Sequence, residues 1–222
     1  MDFEPAAPTA ENADGVDKEP HHPGLSRHHA LWRDVVEIVL LIVTIYTLVN
    51  LATARAVVEG QSMQPNFYTG QLVIVNRFAY YFTEPQRGDV IVLHDPKDPS
   101  QDFIKRVMAL PNETVQIQQG RVYINGAELD EPYIAEFCRA GCDGTWTLKN
   151  DEYFVLGDNR SNSFDSHSFG PITRSLIVGE AWIRYWPPQD VGFIQHPGYG
   201  PIPDRGALPT PIPPTMKPTG RT

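Results

Sequence analysis

T-V-Q-I-Q-Q-G-R-V-Y-I-N-G, residues 114–126, alternates apolar and polar side chains on both sides of Q-G and closes on N-G. Alternation with a period of two is the pattern of a half-buried strand, and two such runs around a short glycine turn predict an antiparallel hairpin. The same texture continues outward in both directions. Q-L-V-I-V-N-R-F (71–78), D-V-I-V-L-H (89–94), F-I-K-R-V-M-A (103–109), E-Y-F-V-L (152–156) and E-A-W-I-R-Y-W (180–186) are short runs rich in β-branched and aromatic residues. R-G-D, P-K-D-P and L-P-N-E punctuate them as turns. No long segment after residue 56 has a helical period, and there is no internal repeat. The expectation is a mostly β fold: an antiparallel sheet of sandwich or partly open barrel type over residues 57–194. Residues 126–150, which carry Cys138 and Cys142, break the rhythm and read as a small excursion.

The ends of the 222-residue chain differ from its middle. Residues 1–24 hold six acids and one lysine, which is −5 of the net −9. With few bulky apolar residues, residues 1–30 are expected to be a disordered acidic tail. Residues 195–222 are dense in Pro and Gly and are expected to form an extended, disordered tail. The middle is close to neutral and has no basic patch interleaved with aromatics, which argues against a nucleic-acid partner. The cysteine pair has no further Cys or His nearby to complete a zinc site. It forms a short disulfide in an oxidising compartment, or stays as two thiols in a reducing one.

V-V-E-I-V-L-L-I-V-T-I-Y-T-L-V-N-L-A-T-A, residues 35–54, is about the length that spans a bilayer. Residues 31–56 are therefore expected to be a transmembrane helix with Trp32 at the interface. Two other readings of the run are a buried core helix and a cleavable signal sequence with A-x-A at 52–54 or 54–56. Lys18, Arg27 and Arg33 before it against Arg55 after it favour an inside N-terminus and an outside domain. R-F-A-Y-Y-F, 77–82, either meets the lipid interface or ends a half-buried strand.

V-E-G-Q-S-M-Q-P, residues 58–65, places Ser62 between a glycine and a proline, outside the G-x-S-x-G elbow of the α/β-hydrolases. A serine nucleophile needs a base. His94 and His167 are the histidines outside the tails, and Asp165 allows a Ser62–His167–Asp165 triad to be drawn. Two residues apart on one strand is a poor way to set a carboxylate against an imidazole, however. Lys105 is the other candidate. On a strand Lys105 and Arg106 face opposite ways, so one of these cations must point inward or both must find partners. Burial lowers a lysine pKa, whereas arginine stays charged, so a buried Lys105 can accept a proton near neutrality. The polar stretch 157–170 reads as a surface loop or a network that fixes the base, with Ser161 or Ser163 bonding the lysine amine; Arg160 and the lack of a suitably placed Gly and Glu argue against a calcium loop.

Four blocks after an apolar N-terminal segment resemble bacterial type I signal peptidase: V-x-G-x-S-M-x-P (58–65), R-G-D-V-I-V (87–92), F-I-K-R-V-x-x-x-P (103–111) and G-D-N-R-x-N-S-x-D-S (157–166). The likeness runs from about 35 to 188. It implies Ser62 as the acylating nucleophile, Lys105 as general base and Ser163 as the group that orients the lysine. Met63, Arg106, Asp158, Asn159, Arg160 and Asp165 would shape the site. The chain departs from the family at Gly60, where some members carry a serine that joins the oxyanion hole, and at His167, often an arginine. The salt bridge from that position to Asp165 is thus an open point. The Cys138–Cys142 pair resembles a disulfide loop of some members.

The resemblance further implies secretory preproteins as substrates, cut after a small-residue A-x-A site, with no cofactor and no metal. The substrate would add as a strand between Val57, Val58, Glu59 and Gly60 on one side and Asp102, Phe103 and Ile104 on the other. A monomer in the bacterial plasma membrane is expected, with a lipid-embedded anchor, a cytoplasmic N-terminus and an extracytoplasmic domain. Two other functions remain in view. One is a self-cleaving Ser–Lys regulator of the SOS repressor type, with Ala140-Gly141 as an available bond. The other is a non-catalytic, membrane-anchored domain that binds peptides.

Overall fold

The computed structural model describes residues 25–199 and Ile202, with side chains from Leu31 onward. Most of the two expected tails falls outside these residues. Helix α1 runs Leu25–Ala52. Its stretch Leu31–Ala52, 22 residues, is long and apolar enough to cross a membrane. The helix stops at Ala52, ahead of residue 56, because Thr53–Val57 form strand β1 and pair with β2, Leu72–Asn76.

The opening hairpin is strand β5 (Thr114–Gln118) and strand β6 (Arg121–Ile124). Its turn residues Gln119 and Gly120 have φ of 52° and 75°. Left-handed backbone at both turn positions matches the right-handed twist of the strands. Asn125 and Gly126 repeat the device with φ of 50° and 87°, leading into β7, Ala127–Glu128. Strand β8, Gly144–Thr147, pairs with the other edge of β5. The excursion at 126–150 is thus part of a four-stranded sheet in the order β7-β6-β5-β8. The disulfide between Cys138 and Cys142 lies beside it. A Cβ on Gly120 would come 2.3 Å from the Cys138 carbonyl oxygen, so only glycine lets the hairpin turn approach that loop.

The main sheet adds β3 (Val90–His94), β4 (Asp102–Ala109), β9 (Glu152–Leu156), β10 (Ile172–Thr173), β11 (Ile177–Trp186) and β12 (Gly192–Phe193). Its order is β1-β2-β11-β3-β4-β9-β10, with β12 beside β11, and every pairing is antiparallel. Register shifts at Ala181/Ile183 and Arg184/Trp186 mark irregularities in β11. Three strands separate β1 from β4, yet both line one groove, so the sheet curls like a partly open barrel.

Strands β4 and β9 are buried on both faces. Met108, Phe154 and Leu156 pack with Ile117, Val122 and Ile124 of the hairpin. Val107, Tyr153 and Val155 pack on the other side with Ile91, Leu93 and Ile172. A third cluster, with Val58, Met63, Phe67, Val73, Val90 and Ala181, underlies the Ser62 segment. In 77–82 Tyr80 is buried whereas Tyr81 and Phe82 are exposed, in a turn rather than a strand end.

The composition assigns residues beyond 194 to a tail, but Gln195–Tyr199 lies on the domain. His196 Nε2 is 3.0 Å from Glu180 and its Nδ1 is 3.6 Å from Asp89. The Tyr199 and Tyr133 hydroxyls are 2.9 Å apart, and Tyr199 and Ile202 pack on the hairpin cluster. These anchors are too sparse for periodicity to reveal; a few side chains hold an irregular segment.

Candidate active site

Ser62 sits on a tight turn. The N–H of Phe67 donates to the Met63 carbonyl at 2.9 Å and that of Gln64 to Gln61 at 3.2 Å. Met63 is 1% exposed and pins the turn into the core. Gly60 enters the turn with φ of 80°, a conformation that disfavours any side chain.

On β4 both adjacent cations are buried, Lys105 at 3% and Arg106 at 2% exposure. Arg106 is fully partnered. Its Nε and Nη2 donate to the two oxygens of Asp158, both at 2.8 Å, and its Nη1 to the Gly88 carbonyl at 2.9 Å. The Tyr133 ring covers it at 4.2 Å. Lys105, on the other face, has no carboxylate partner within ion-pair distance among the described residues. Its Nζ lies 2.9 Å from Ser62 Oγ and 3.0 Å from the Ile104 carbonyl oxygen. Burial pushes the amine down to about 8, against an upward pull from Asp165 and Asp158. The two ways of accommodating adjacent cations are therefore both used: arginine is paired, and lysine is desolvated.

The drawn triad does not assemble. His167 Nδ1 is 2.6 Å from Asp165 Oδ1, but its Nε2 is 3.0 Å from Ser168 Oγ, while Ser62 Oγ meets Lys105. The local backbone explains the close Asp165–His167 pair. Residues Ser166–Phe169 are a helical turn, α2, and Asp165 is its N-cap, accepting the His167 N–H at 3.2 Å. An imidazole thus occupies the position where the resemblance expects arginine, and the contact to Asp165 is made. Asp165 is fully buried, and its Oδ2 accepts the Gly157 N–H at 2.8 Å. His94 meets Asp102 at 2.7 Å instead.

The loop 157–170 docks on the Ser62 turn through main chain. The N–H of Asn159 donates to the Ser62 carbonyl at 2.9 Å, and its side chain to the Gln61 carbonyl at 3.1 Å. A Cβ on Gly157 would come 2.4 Å from the Ser62 carbonyl oxygen and 2.3 Å from Ser163 Oγ, so glycine is required. The hydrogen bond expected from Ser163 to Lys105 is not formed; Ser163 Oγ is buried without a partner. Arg160 forms a buried ion pair with Glu131 and donates to the Gly157 carbonyl at 3.1 Å. The Arg139 N–H in the disulfide loop donates to Ser161 Oγ at 3.2 Å. The acids of 157–170 are thus engaged internally, Asp158 by Arg106 and Asp165 by His167, rather than arranged as a calcium loop.

A groove of about 890 Å³ runs past the pair. Val57, Val58, Glu59 and Gly60 line one side; Asp102, Phe103 and Ile104 line the other, and Phe164 and Asn162 also border it. Sequence reasoning missed Glu131, Gly157, Tyr133 and Phe164. Arg160 signals the need for an acid, but E-L-D-E at 128–131 offers three and no spacing selects among them.

A serine against a buried lysine, on a curled antiparallel domain with a groove alongside, is the architecture of a serine peptidase that uses lysine as base. Residues 31–186 match the family described as "Signal peptidase, peptidase S26". A signal peptidase I from Leptolyngbya laminosa is 41% identical over 66% of this chain and 75% of its own length. A probable signal peptidase I-2 from Synechocystis sp. (strain ATCC 27184 / PCC 6803 / Kazusa) is 37% identical over 74% and 76%. A solved signal peptidase I from Enterococcus faecalis V583 is 33% identical, covering 44% of this chain and 97% of that one, with a TM-score of 0.40. The chain belongs to the signal peptidase family, peptidase S26.

Proposed function

We propose that this chain removes signal peptides from secretory preproteins, with Ser62 as nucleophile and Lys105 as general base. The observation that carries the reading is the 2.9 Å contact between Lys105 Nζ and Ser62 Oγ, with the amine buried and its pKa lowered to about 8. A neutral amine accepts the Ser62 proton as Oγ attacks the scissile carbonyl. The tetrahedral oxyanion faces main-chain N–H groups, including that of Ser62. The resulting ammonium donates its proton to the leaving amine, and the carbon–nitrogen bond breaks to leave an acyl-enzyme. Lys105 then takes a proton from water, which attacks the ester; the proton returns to Ser62 and the free carboxylate departs.

The groove between Val57–Gly60 and Asp102–Ile104 fits one extended peptide. Alternate side chains of a strand face the same wall, so the first and third residues before the cut would meet the same surface. An A-x-A site suits such a surface when its pockets are small. Arg160, Asp158, Asn159, Arg106, Asp165 and Met63 act by holding the turn and loop. Ser163, whose hydroxyl is buried without a partner, is the group this reading assigns to orient the amine. Residues 31–52 anchor the chain in lipid and the domain follows from Thr53. The Cys138–Cys142 disulfide fits an oxidising, extracytoplasmic compartment for that domain. Together with the charge distribution around the helix, this supports a cytoplasmic N-terminus. The reading takes the protein as a monomer without metal or cofactor.

The test uses the full chain in detergent with a preprotein ending its signal in A-x-A. Ser62→Ala and Lys105→Ala lower cleavage by about 10³-fold or more, the scale for losing a triad-type member. His167→Ala keeps substantial activity. Near wild-type cleavage by Lys105→Ala overturns the mechanism. Cutting only at Ala140-Gly141, with the preprotein intact, would instead favour a self-cleaving regulator.

A further inference from the structure

Phe164 lies between Ser163 and the buried Asp165 on the loop that docks on Ser62, but neither catalysis nor the family likeness gives it a task. It is 43% exposed and borders the groove. Its ring meets the edge of Phe103 at a centroid distance of 6.3 Å and an interplanar angle of 83°. On its other flank it meets Phe169 of α2 at 5.3 Å and 68°. Phe103 in turn lies with its ring centroid 5.1 Å from Lys105 Nζ. A chain of three rings therefore connects α2 to the amine, and Phe164 is its middle member.

We propose that Phe164 is a positioning residue for the catalytic base: it props Phe103 against the Lys105 amine and so keeps water away from it. The inference rests on the Ser62–Lys105 reading of the site. Phe103 and Lys105 share one face of β4, because they are two residues apart. Without Phe164, the Phe103 ring has an open groove to rotate into, and the amine gains a path to solvent. The charged groups that act on the amine are Asp165 and Asp158 of the docking loop, and both pull its pKa upward. Lys97 lies beyond the prop, with its Nζ 4.9 Å from the Phe164 ring centroid. A cation–π contact by itself favours the charged amine. The Lys105 pKa nevertheless lies below that of an ordinary lysine, and burial is the largest cause. Dehydration therefore outweighs the attraction of the ring, and rehydrating the amine raises its pKa. A raised pKa leaves less neutral base at a given pH.

The test is the pH profile of preprotein cleavage by the full chain in detergent, comparing wild type, Phe164→Ala and Phe164→Leu, with kcat and KM separated. For Phe164→Ala the rising limb of kcat moves to higher pH by about one unit, which is about a tenfold loss near neutrality that recovers at alkaline pH. Phe164→Leu, which restores an apolar prop, returns the limb to the wild-type position. An unmoved limb overturns the inference, whether Phe164→Ala is fully active, uniformly slower or changed only in KM. Lys105→Ala is run alongside: if it still cuts, the identity of the base has failed, whereas a dead Lys105→Ala with an unmoved Phe164→Ala limb sinks the Phe164 inference alone. Thermal unfolding of the three proteins distinguishes a folding defect, which lowers activity at every pH and leaves the limb in place.

Discussion

The guanidinium of Arg106 and the carboxylate of Asp158 meet through two parallel hydrogen bonds of 2.8 Å, with side chains 3% and 0% exposed. This pair ties β4 to the start of the loop that docks on Ser62, and Asn66 Nδ2 adds a further bond to Asp158 at 2.8 Å. It also neutralises the cation next to Lys105, which leaves the lysine as the one of the two without a charge partner.

Removing one member of that pair strands the other in the core. Asp158→Ala and Arg106→Ala are each expected to lower stability by about 3–5 kcal/mol. The double variant Arg106→Met/Asp158→Leu should lose less than the sum of the singles. Denaturant unfolding in detergent measures all three, and additive losses would count against a coupled pair.

The lowered pKa of Lys105 sets a pH dependence. The base works when neutral, so kcat is expected to rise with pH and level off above about 8. The same group affects stability. Between about 8 and the ordinary lysine value of 10.5 the unfolded chain holds the proton and the folded chain does not. Stability from this residue therefore increases with pH through that window, and its burial cost is fully present below it. Comparing the pH dependence of unfolding in wild type and Lys105→Met isolates the contribution.

His167 behaves in the opposite sense. Its contact with Asp165 raises its pKa above 6.5 despite partial burial. Its stabilising effect is complete below the unfolded value and fades as pH rises through the folded one. His167→Ala should therefore lower the melting midpoint more at pH 5.5 than at pH 9. His167→Arg, which stays charged, should remove most of that pH dependence.

Gly157→Ala tests the docking of loop and turn. Its new Cβ would meet the Ser62 carbonyl oxygen at 2.4 Å, and backbone cannot swing aside as a side-chain tip can. A displacement of Ser62 by about 1 Å costs about 10²-fold in kcat. Activity assays should show that loss together with a measurable drop in melting midpoint; an active Gly157→Ala protein would mean the turn is more yielding than the packing indicates.

Local chemistry made much of this protein legible from its residues. Q-G and N-G demanded left-handed turns, and Gln119, Gly120, Asn125 and Gly126 adopt them. An apolar stretch of bilayer length became α1, although the helix gave way to β1 at Ala52. Two adjacent cations in an apolar run pointed to an unusual lysine, and Lys105 is the one that faces Ser62 without a charge partner. These features depend on neighbours within a few residues or on a strand's period of two.

Partner choice over long separations was decided only in three dimensions. Glu131 rather than another acid of its segment pairs with Arg160, because the loops of two sheets bring it there. Tyr199 and His196 fasten a segment whose composition resembles a tail. Asp165 and His167 looked badly spaced for a strand, but a helix N-cap brings the residue before a helix close to the second residue within it. The groove itself exists because curling brings β1 and β4 together across three intervening strands. A sequence states which side chains can pair, bury or turn; which pairs form depends on sheet curvature and loop closure, and those arise from the packing of the whole domain.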